Sequence, residues 1–364
     1  MTVTSPTPGV ARDFALGSFT TAAGEVLEDA RLRFEVTGDI EAAEEHGWIL
    51  AFHALTGNAH VADWWGPLVG PGRALDTTRH AIVSANLLGG CYGSTGPGEW
   101  PAGARPRFPA LSSLDLARAH VPLLEHLAVT RLACVSGGSL GGMVALQWGR
   151  LSPVPVDRLV VFAAPAATSA QAIAWNATQR MVIEADPAWQ GGRYPAGGGP
   201  AAGLAAARAI AMITYRSAPE FAARFGRERT RTAGRFDVEH YLRRQGEKLV
   251  ARFDAASYVA LMRAMDLHDV GDLAAAGRAT AERVREIVGV GIDSDILYYP
   301  AEVRDWTAAY RAAGANARYT EIASVYGHDA FLIEWDQVAA ALRPENSPAR
   351  APGSHGAADS APSP

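Results

Sequence analysis

Short apolar runs recur along the chain and are separated by stretches with a helical period. Trp48-Ile-Leu-Ala-Phe52, Arg79–Ser84, Arg131–Ser136 and Asp157–Phe162 are largely apolar and too short for stable helices. They read as strands buried on both faces. Upstream, Phe14–Phe19 and Ala30–Val36 place apolar residues at every second position around Gly24, the pattern of a hairpin. Leu114–Val129 and Gly142–Trp148 read as helices. Strands that alternate with helices predict an α/β fold, with a mostly parallel sheet covered on both faces.

After Ala163-Ala-Pro165 the pattern changes. Residues 166–190 and 204–270 carry helix-period apolar positions, separated by a Gly-rich loop at 191–200. Strand character returns at Val284–Ile292 and Arg318–Ala323. The expected organisation is a flexible N-terminus (1–12), a core domain (13–164 and 281–344), a helical lid (165–280) and a disordered, Ser/Pro/Ala/Gly-rich tail (345–364).

Composition narrows the function classes. The 364 residues are 48% hydrophobic and 20% charged, which is ordinary for a globular protein. A net charge of -5 and a pI near 6.1 argue against a nucleic-acid partner. Cys91 and Cys134 show no paired spacing and suit a reducing compartment. No signal-peptide pattern or bilayer-length apolar run is present, so the expectation is a cytoplasmic protein that does not enter a membrane. His53 and His60 lack the partners that would close a metal shell, and no metal site is expected. No phosphate loop or dinucleotide fingerprint points to a bound nicotinamide or flavin.

The chemistry centres on Ser139. Gly137-Gly-Ser-Leu-Gly141 matches G-x-S-x-G between a predicted strand and a predicted helix, the context that makes a serine a nucleophile. With 37 glycines in the chain the spacing alone is weak; the flanking elements give it meaning. A serine needs a base. His328 follows a strand-like segment in Val325-Tyr-Gly-His-Asp-Ala-Phe331. The acid should lie between serine and histidine in sequence. Asp295 is preferred on the loop after Ile292, with Asp293 as its competitor. A loop histidine or a loop aspartate is ordinary by itself; the order Ser139, Asp295, His328, each at a strand end, is what makes a triad. The loop His53-Ala-Leu-Thr-Gly57 follows a strand where a second oxyanion donor is needed, so the backbone N–H groups of Leu55 and Leu140 are assigned to the oxyanion. His53 is read as shaping that loop.

These residues resemble the homoserine O-acetyltransferase family of the α/β-hydrolase superfamily. The resemblance rests on His53-Ala-Leu-Thr-Gly57 with His60 and Trp64-Trp65, on Asn86–Pro97 and on Gly137–Gly142. It continues through Gln245-Gly246, Arg252–Ala255, Ser257-Tyr258, His268–Gly271, Ser294-Asp295 with Leu297, and Tyr326–Phe331, spanning about 14–342. It implies an α/β-hydrolase fold with a helical lid and a ping-pong transfer of acetyl from acetyl-CoA to L-homoserine through an acetyl-Ser139 intermediate, for methionine biosynthesis. It implies no permanently bound cofactor and a homodimer formed through the lid. It also implies that Arg208 and Asp329 hold the amino acid. Arg208 stands in an apolar helix where a buried guanidinium needs an anionic partner, and Tyr215 lies two turns on along the same face. Asn58 and Leu140 depart from residues common in the family, without removing chemistry.

Rival readings keep the fold. A succinyl-CoA donor would want a cation near the acyl pocket, L-serine could replace homoserine, and an esterase would admit water to the acyl-enzyme. A non-catalytic binding protein predicts a broken triad. The basic run Arg224–Arg235 reads as a solvated face, with contact of Arg229 and Arg231 to coenzyme phosphates, or to a subunit partner, as the lesser alternative.

Overall fold

The computed structural model describes residues 9–99, 108–195, 197–229 and 234–344. Most of the expected N-terminal segment and the tail at 345–364 therefore lie outside the described residues, as does Arg231. Eight strands form one sheet: β1 (Arg12–Thr20), β2 (Val26–Gly38), β3 (Trp48–Phe52), β4 (Ala81–Ala85), β5 (Leu132–Gly138), β6 (Val156–Phe162), β7 (Val284–Ile292) and β8 (Ala317–Ile322). Their spatial order is β1-β2-β4-β3-β5-β6-β7-β8. The β1–β2 and β2–β4 pairs are antiparallel and the remainder parallel. The apolar runs are the central strands, which are covered on both faces. Leu50 and Phe52 enter one hydrophobic cluster while Ile49 and Ala51 enter the other.

Before β6 the helices are α1 (Ile40–His46), α2 (Ala62–Trp65), α3 (Ser113–Arg118), α4 (Val121–His126) and α5 (Leu140–Leu151). Between β6 and β7 come α6 (Ala170–Glu184), α7 (Ala201–Tyr215), α8 (Ala218–Phe225), α9 (Asp237–Val250), α10 (Ala255–Asp266) and α11 (Leu273–Ala281). The last two are α12 (Pro300–Ala312) and α13 (Trp335–Leu342). The single helix expected over 114–129 is two. α3 ends at Arg118, with Ala119 as its C-cap, and α4 begins with Pro122 in its first turn, where the missing proline N–H costs nothing. Within the segment between β6 and β7, α7 packs on α6 and α9, whereas α11 packs back on α5 and α12. α7 also touches the short Gly327–Leu332 turn after β8. No described helix is long and apolar enough to cross a membrane.

Candidate active site

Ser139 joins β5 to α5 with φ 57° and ψ −125°, a conformation a non-glycine residue adopts only when its surroundings enforce it. The neighbouring glycines do the enforcing. A Cβ on Gly137 would lie 2.5 Å from the Gly141 carbonyl carbon and 2.9 Å from Phe52 O. One on Gly138 would overlap the Phe331 ring, and one on Gly141 would overlap Phe52 O. The turn is thus closed on three sides by backbone and one aromatic ring, and the serine is left at the C-terminal edge of the sheet.

His328 sits in the turn after β8, buried at 2% exposure. Its Nδ1 lies 2.7 Å from Asp295 Oδ2. Asp295 is itself held by the amides of Leu297 (2.8 Å) and Tyr298 (3.1 Å), which donate to Oδ1. Asp293 faces elsewhere and accepts from the Ser324 amide. Asp295, the aspartate preferred from sequence, thus faces His328, and its competitor Asp293 does not. Burial works to lower the His328 pKa, but the charge and hydrogen bond of Asp295, with Asp329 adding, hold it above the ordinary histidine value. Its Nε2 has no hydrogen-bond partner among the described residues. Tyr298, Phe331 and Tyr215 pack around the ring at centroid distances of 5.3, 5.6 and 5.7 Å.

The loop after β3 is built by His53. Its Nδ1 donates to Ala54 O (2.7 Å) and its Nε2 accepts from the Leu87 amide (3.0 Å). That pairing requires neutral imidazole, and burial lowers its pKa to about 4. Among the described residues, neither the Leu55 amide nor the Leu140 amide has a hydrogen-bond partner. Leu140 is otherwise fully buried at the start of α5, so its amide is what it offers. Arg252, just past the end of α9, lashes the loop from outside. Its Nη1 donates to Thr56 O (2.7 Å) and Tyr92 Oη (3.0 Å), and its Nη2 to Thr56 Oγ1 (3.2 Å). Asn58 bonds Asp63 and the His60 amide, a loop-shaping role with no catalytic partner.

A cavity of about 410 Å³ collects Leu55, Ser139, Arg208, Tyr215, His328 and Asp329, with Trp64, Tyr92, Arg252 and Phe331 on its walls. Arg208 is 5% exposed, and its Nε has no hydrogen-bond partner among the described residues. Its guanidinium lies 5.6 Å from the centre of the Tyr215 ring, as two turns of one helix allow. Asp329 is also buried, 3.1 Å from Arg216. Arg216, Arg252 and Tyr92 had no assigned role at the level of sequence, because what they touch is remote along the chain. Arg252 is 160 residues from Tyr92 and 196 from Thr56, and Arg216 meets Asp329 only across the turn after β8.

Two other places bear on the assignment. A larger cavity of about 920 Å³ lies at the opposite ends of the strands, but its Glu286 and Asp157 are already paired with Arg158, Arg318 and Arg131. A second serine–histidine pair joins Ser113 Oγ to His268 Nδ1 at 2.7 Å. Both residues are fully enclosed, the His268 Nε2 is committed to Pro165 O, and neither lines the 410 Å³ cavity. This pair anchors α3 to the α10–α11 connection. Arg224 pairs with Glu220, and Arg227 and Arg229 lie over Phe236; none lines the cavity. No cluster of three or more metal-ligating side chains occurs among the described residues.

Comparison with known proteins accords with this geometry. Residues 47–259 match the family described as alpha/beta hydrolase fold. The homoserine O-acetyltransferase of Moorella thermoacetica is 45% identical over 346 residues, covering 88% of this chain and 91% of that protein. The enzyme of the same name from Thermus thermophilus is 46% identical over 347 residues, covering 88% and 87%. Among solved structures, homoserine O-acetyltransferase from Staphylococcus aureus superposes with a TM-score of 0.74 at 26% identity, covering 92% of this chain and 94% of that one. Esterase E22 superposes at 0.81 with 21% identity, covering 92% and 98%, and shares the fold. The chain belongs to the homoserine O-acetyltransferase family, on the α/β-hydrolase fold.

Proposed function

We propose that the protein transfers an acetyl group from acetyl-CoA to the hydroxyl of L-homoserine, giving O-acetyl-L-homoserine for methionine biosynthesis. The observation that carries the reading is the content of one cavity. Beside Ser139 and His328 it holds a buried guanidinium without a carboxylate partner among the described residues, Arg208, and a buried carboxylate, Asp329. Those are the complements of the two charged ends of an amino acid. An esterase for neutral esters has no use for the pair.

In the first half-reaction His328 Nε2 takes the proton of Ser139 as its Oγ attacks the thioester carbonyl. The oxyanion forms against the Leu55 and Leu140 amides. His328 then protonates the departing thiolate, leaving acetyl-Ser139 and free CoA. In the second half the homoserine hydroxyl gives its proton to His328 and attacks the acetyl carbonyl, and the imidazolium returns that proton to Ser139 as the ester leaves. Asp295 fixes the imidazole through Nδ1 and stabilises its charged form. Arg208 takes the homoserine carboxylate, and Asp329 takes its ammonium. Tyr215, between them, forms the wall. The helices between β6 and β7, α11 apart, serve as the lid, covering the acyl-enzyme against water.

We place the enzyme in the cytoplasm, which its two free thiols, Cys91 and Cys134, support. A homodimer through α6 and α7 is supported by Met181 and Ile213, which stand 67% and 45% exposed there.

The test is release of CoA thiol from acetyl-CoA with L-homoserine, beside parallel reactions with succinyl-CoA, with L-serine and without acceptor, and with Ser139→Ala as blank. Release that needs both acetyl-CoA and homoserine, and is lost in the variant, is expected. Equal steady release without acceptor would make the protein a hydrolase. Preference for succinyl-CoA or serine would overturn the substrate assignment.

A further inference from the structure

Asp329 does not stand alone in the cavity wall. Arg216, the residue at which α7 stops (φ −118°, ψ 153°), lies behind it. Its Nε is 3.1 Å from Asp329 Oδ2 and its Nη1 is 3.2 Å from Glu220 Oε1 on α8. All three side chains are at most 9% exposed, and the Arg216–Asp329 contact is an ion pair in which Arg216 Nε makes no hydrogen bond among the described residues. Arg216 does not line the cavity. The joint is tightly packed: Ser217 Oγ bonds Val325 O, and a Cβ on Gly327 would lie 2.9 Å from the backbone of Tyr215, Arg216 and Ser217. One helix with its exit residue thus carries Arg208 and the support of Asp329, so it sets the spacing of the two charged groups.

An unsupported carboxylate here would be costly. It is buried, adjacent to His328, and shares the site with the Asp295 carboxylate, so without a counter-ion it would swing away toward water. We infer that Arg216 is a positioning residue for the second half-reaction: as the buried counter-ion of Asp329 it holds that carboxylate in the cavity wall, so that the acceptor's ammonium group is read there. This rests on the acyl-transfer reading above. Glu220 balances the second edge of the guanidinium, and Arg224, 3.7 Å from Glu220, completes the row of alternating charge.

The test separates the two half-reactions and the two ends of the acceptor. Arg216→Gln and Arg216→Lys are assayed for the burst of CoA thiol from acetyl-CoA alone, and for kcat/KM with L-homoserine and with 4-hydroxybutanoate, which lacks the amine. In Arg216→Gln the homoserine kcat/KM should fall by about 100-fold, the scale of an anchor misplaced by about 1 Å. The burst and the 4-hydroxybutanoate kcat/KM should stay near those of the parent, and Arg216→Lys should recover part of the homoserine loss. Equal loss with both acceptors, a burst that falls in step, or an unchanged homoserine kcat/KM would overturn the inference. If Arg216→Gln does not fold, Arg216→Lys decides by the same criterion: its loss must be larger with homoserine than with 4-hydroxybutanoate. A parent enzyme with no burst at all would remove the acyl-transfer reading and this inference with it, a failure recognisable because it needs no substitution.

Discussion

Replacing Gly141 with alanine sets two physical expectations against each other. Gly141 lies in the first turn of α5, and a helical Gly→Ala change ordinarily stabilises by about 0.5–1 kcal/mol through lost chain entropy. Here the new Cβ would lie 2.8 Å from the Phe52 carbonyl carbon and 2.9 Å from His53 O, and closer still to Phe52 O. Those atoms are backbone, and cannot rotate away. They must retreat by about 1 Å to restore ordinary van der Waals separation. The segment that retreats is the end of β3 and the start of the Leu55 loop. Overpacking of this kind costs about 3 kcal/mol, so the net sign is destabilising. The same shift would draw the Leu55 amide away from the oxyanion position proposed above, and losing one such donor lowers kcat by about 10²–10³-fold. Thermal unfolding of Gly141→Ala, with the burst of CoA thiol measured below the transition, checks both halves. A variant as stable as the parent and equally active would refute the steric argument and return Gly141 to ordinary helix propensity.

Three further outcomes are expected. Because His328, as the proposed base, must be neutral to accept a proton and its pKa is raised, kcat/KM should fall as pH drops through a value above the ordinary 6.5; in Asp295→Asn, where burial loses its main counterweight, that limb should move to lower pH and kcat should fall by about 10⁴-fold. Arg208→Ala should raise the homoserine KM by about 100-fold, the loss of charge-assisted hydrogen bonds to a carboxylate, and leave the acetyl-CoA burst intact. His53, His120 and His268 are buried with their pKa lowered to about 4 from 6.5. The unfolded chain therefore binds up to three more protons than the native one between those values, and stability should fall with decreasing pH by about 4 kcal/mol per unit there. Urea unfolding at pH 7 and pH 5 measures it; equal midpoints would show that these imidazoles are not buried neutral.

Much of this protein was legible along the chain, and for a local reason. Short apolar strands, broken by Gly and Pro, identify themselves through neighbours in sequence, and so each strand of the sheet was visible. The elbow around Ser139 was visible because its steric demand falls on residues one and two positions away. The order of serine, aspartate and histidine followed from strand ends. Asp295 was preferred over Asp293 from the sequence, but what each of two carboxylates on one loop faces depends on the pairing of β7 and β8, which the sequence does not show. That His53 shapes its loop could be read from its place after β3. The means could not, since one of its two backbone bonds goes to Leu87, 34 residues away. Ser113 and His268 carried no signal as a pair, being 155 residues apart. Arg216 was the plainest omission. Its sequence neighbours make it one basic residue after a helix, and only the packing of the α7–α8 joint on the His328 turn brings it to Asp329. Local pattern determines where backbone hydrogen bonds and apolar faces go, because those depend on adjacent residues. Which charges meet is decided by tertiary structure, because a buried charge finds its counter-ion through space, without regard to the length of chain between them.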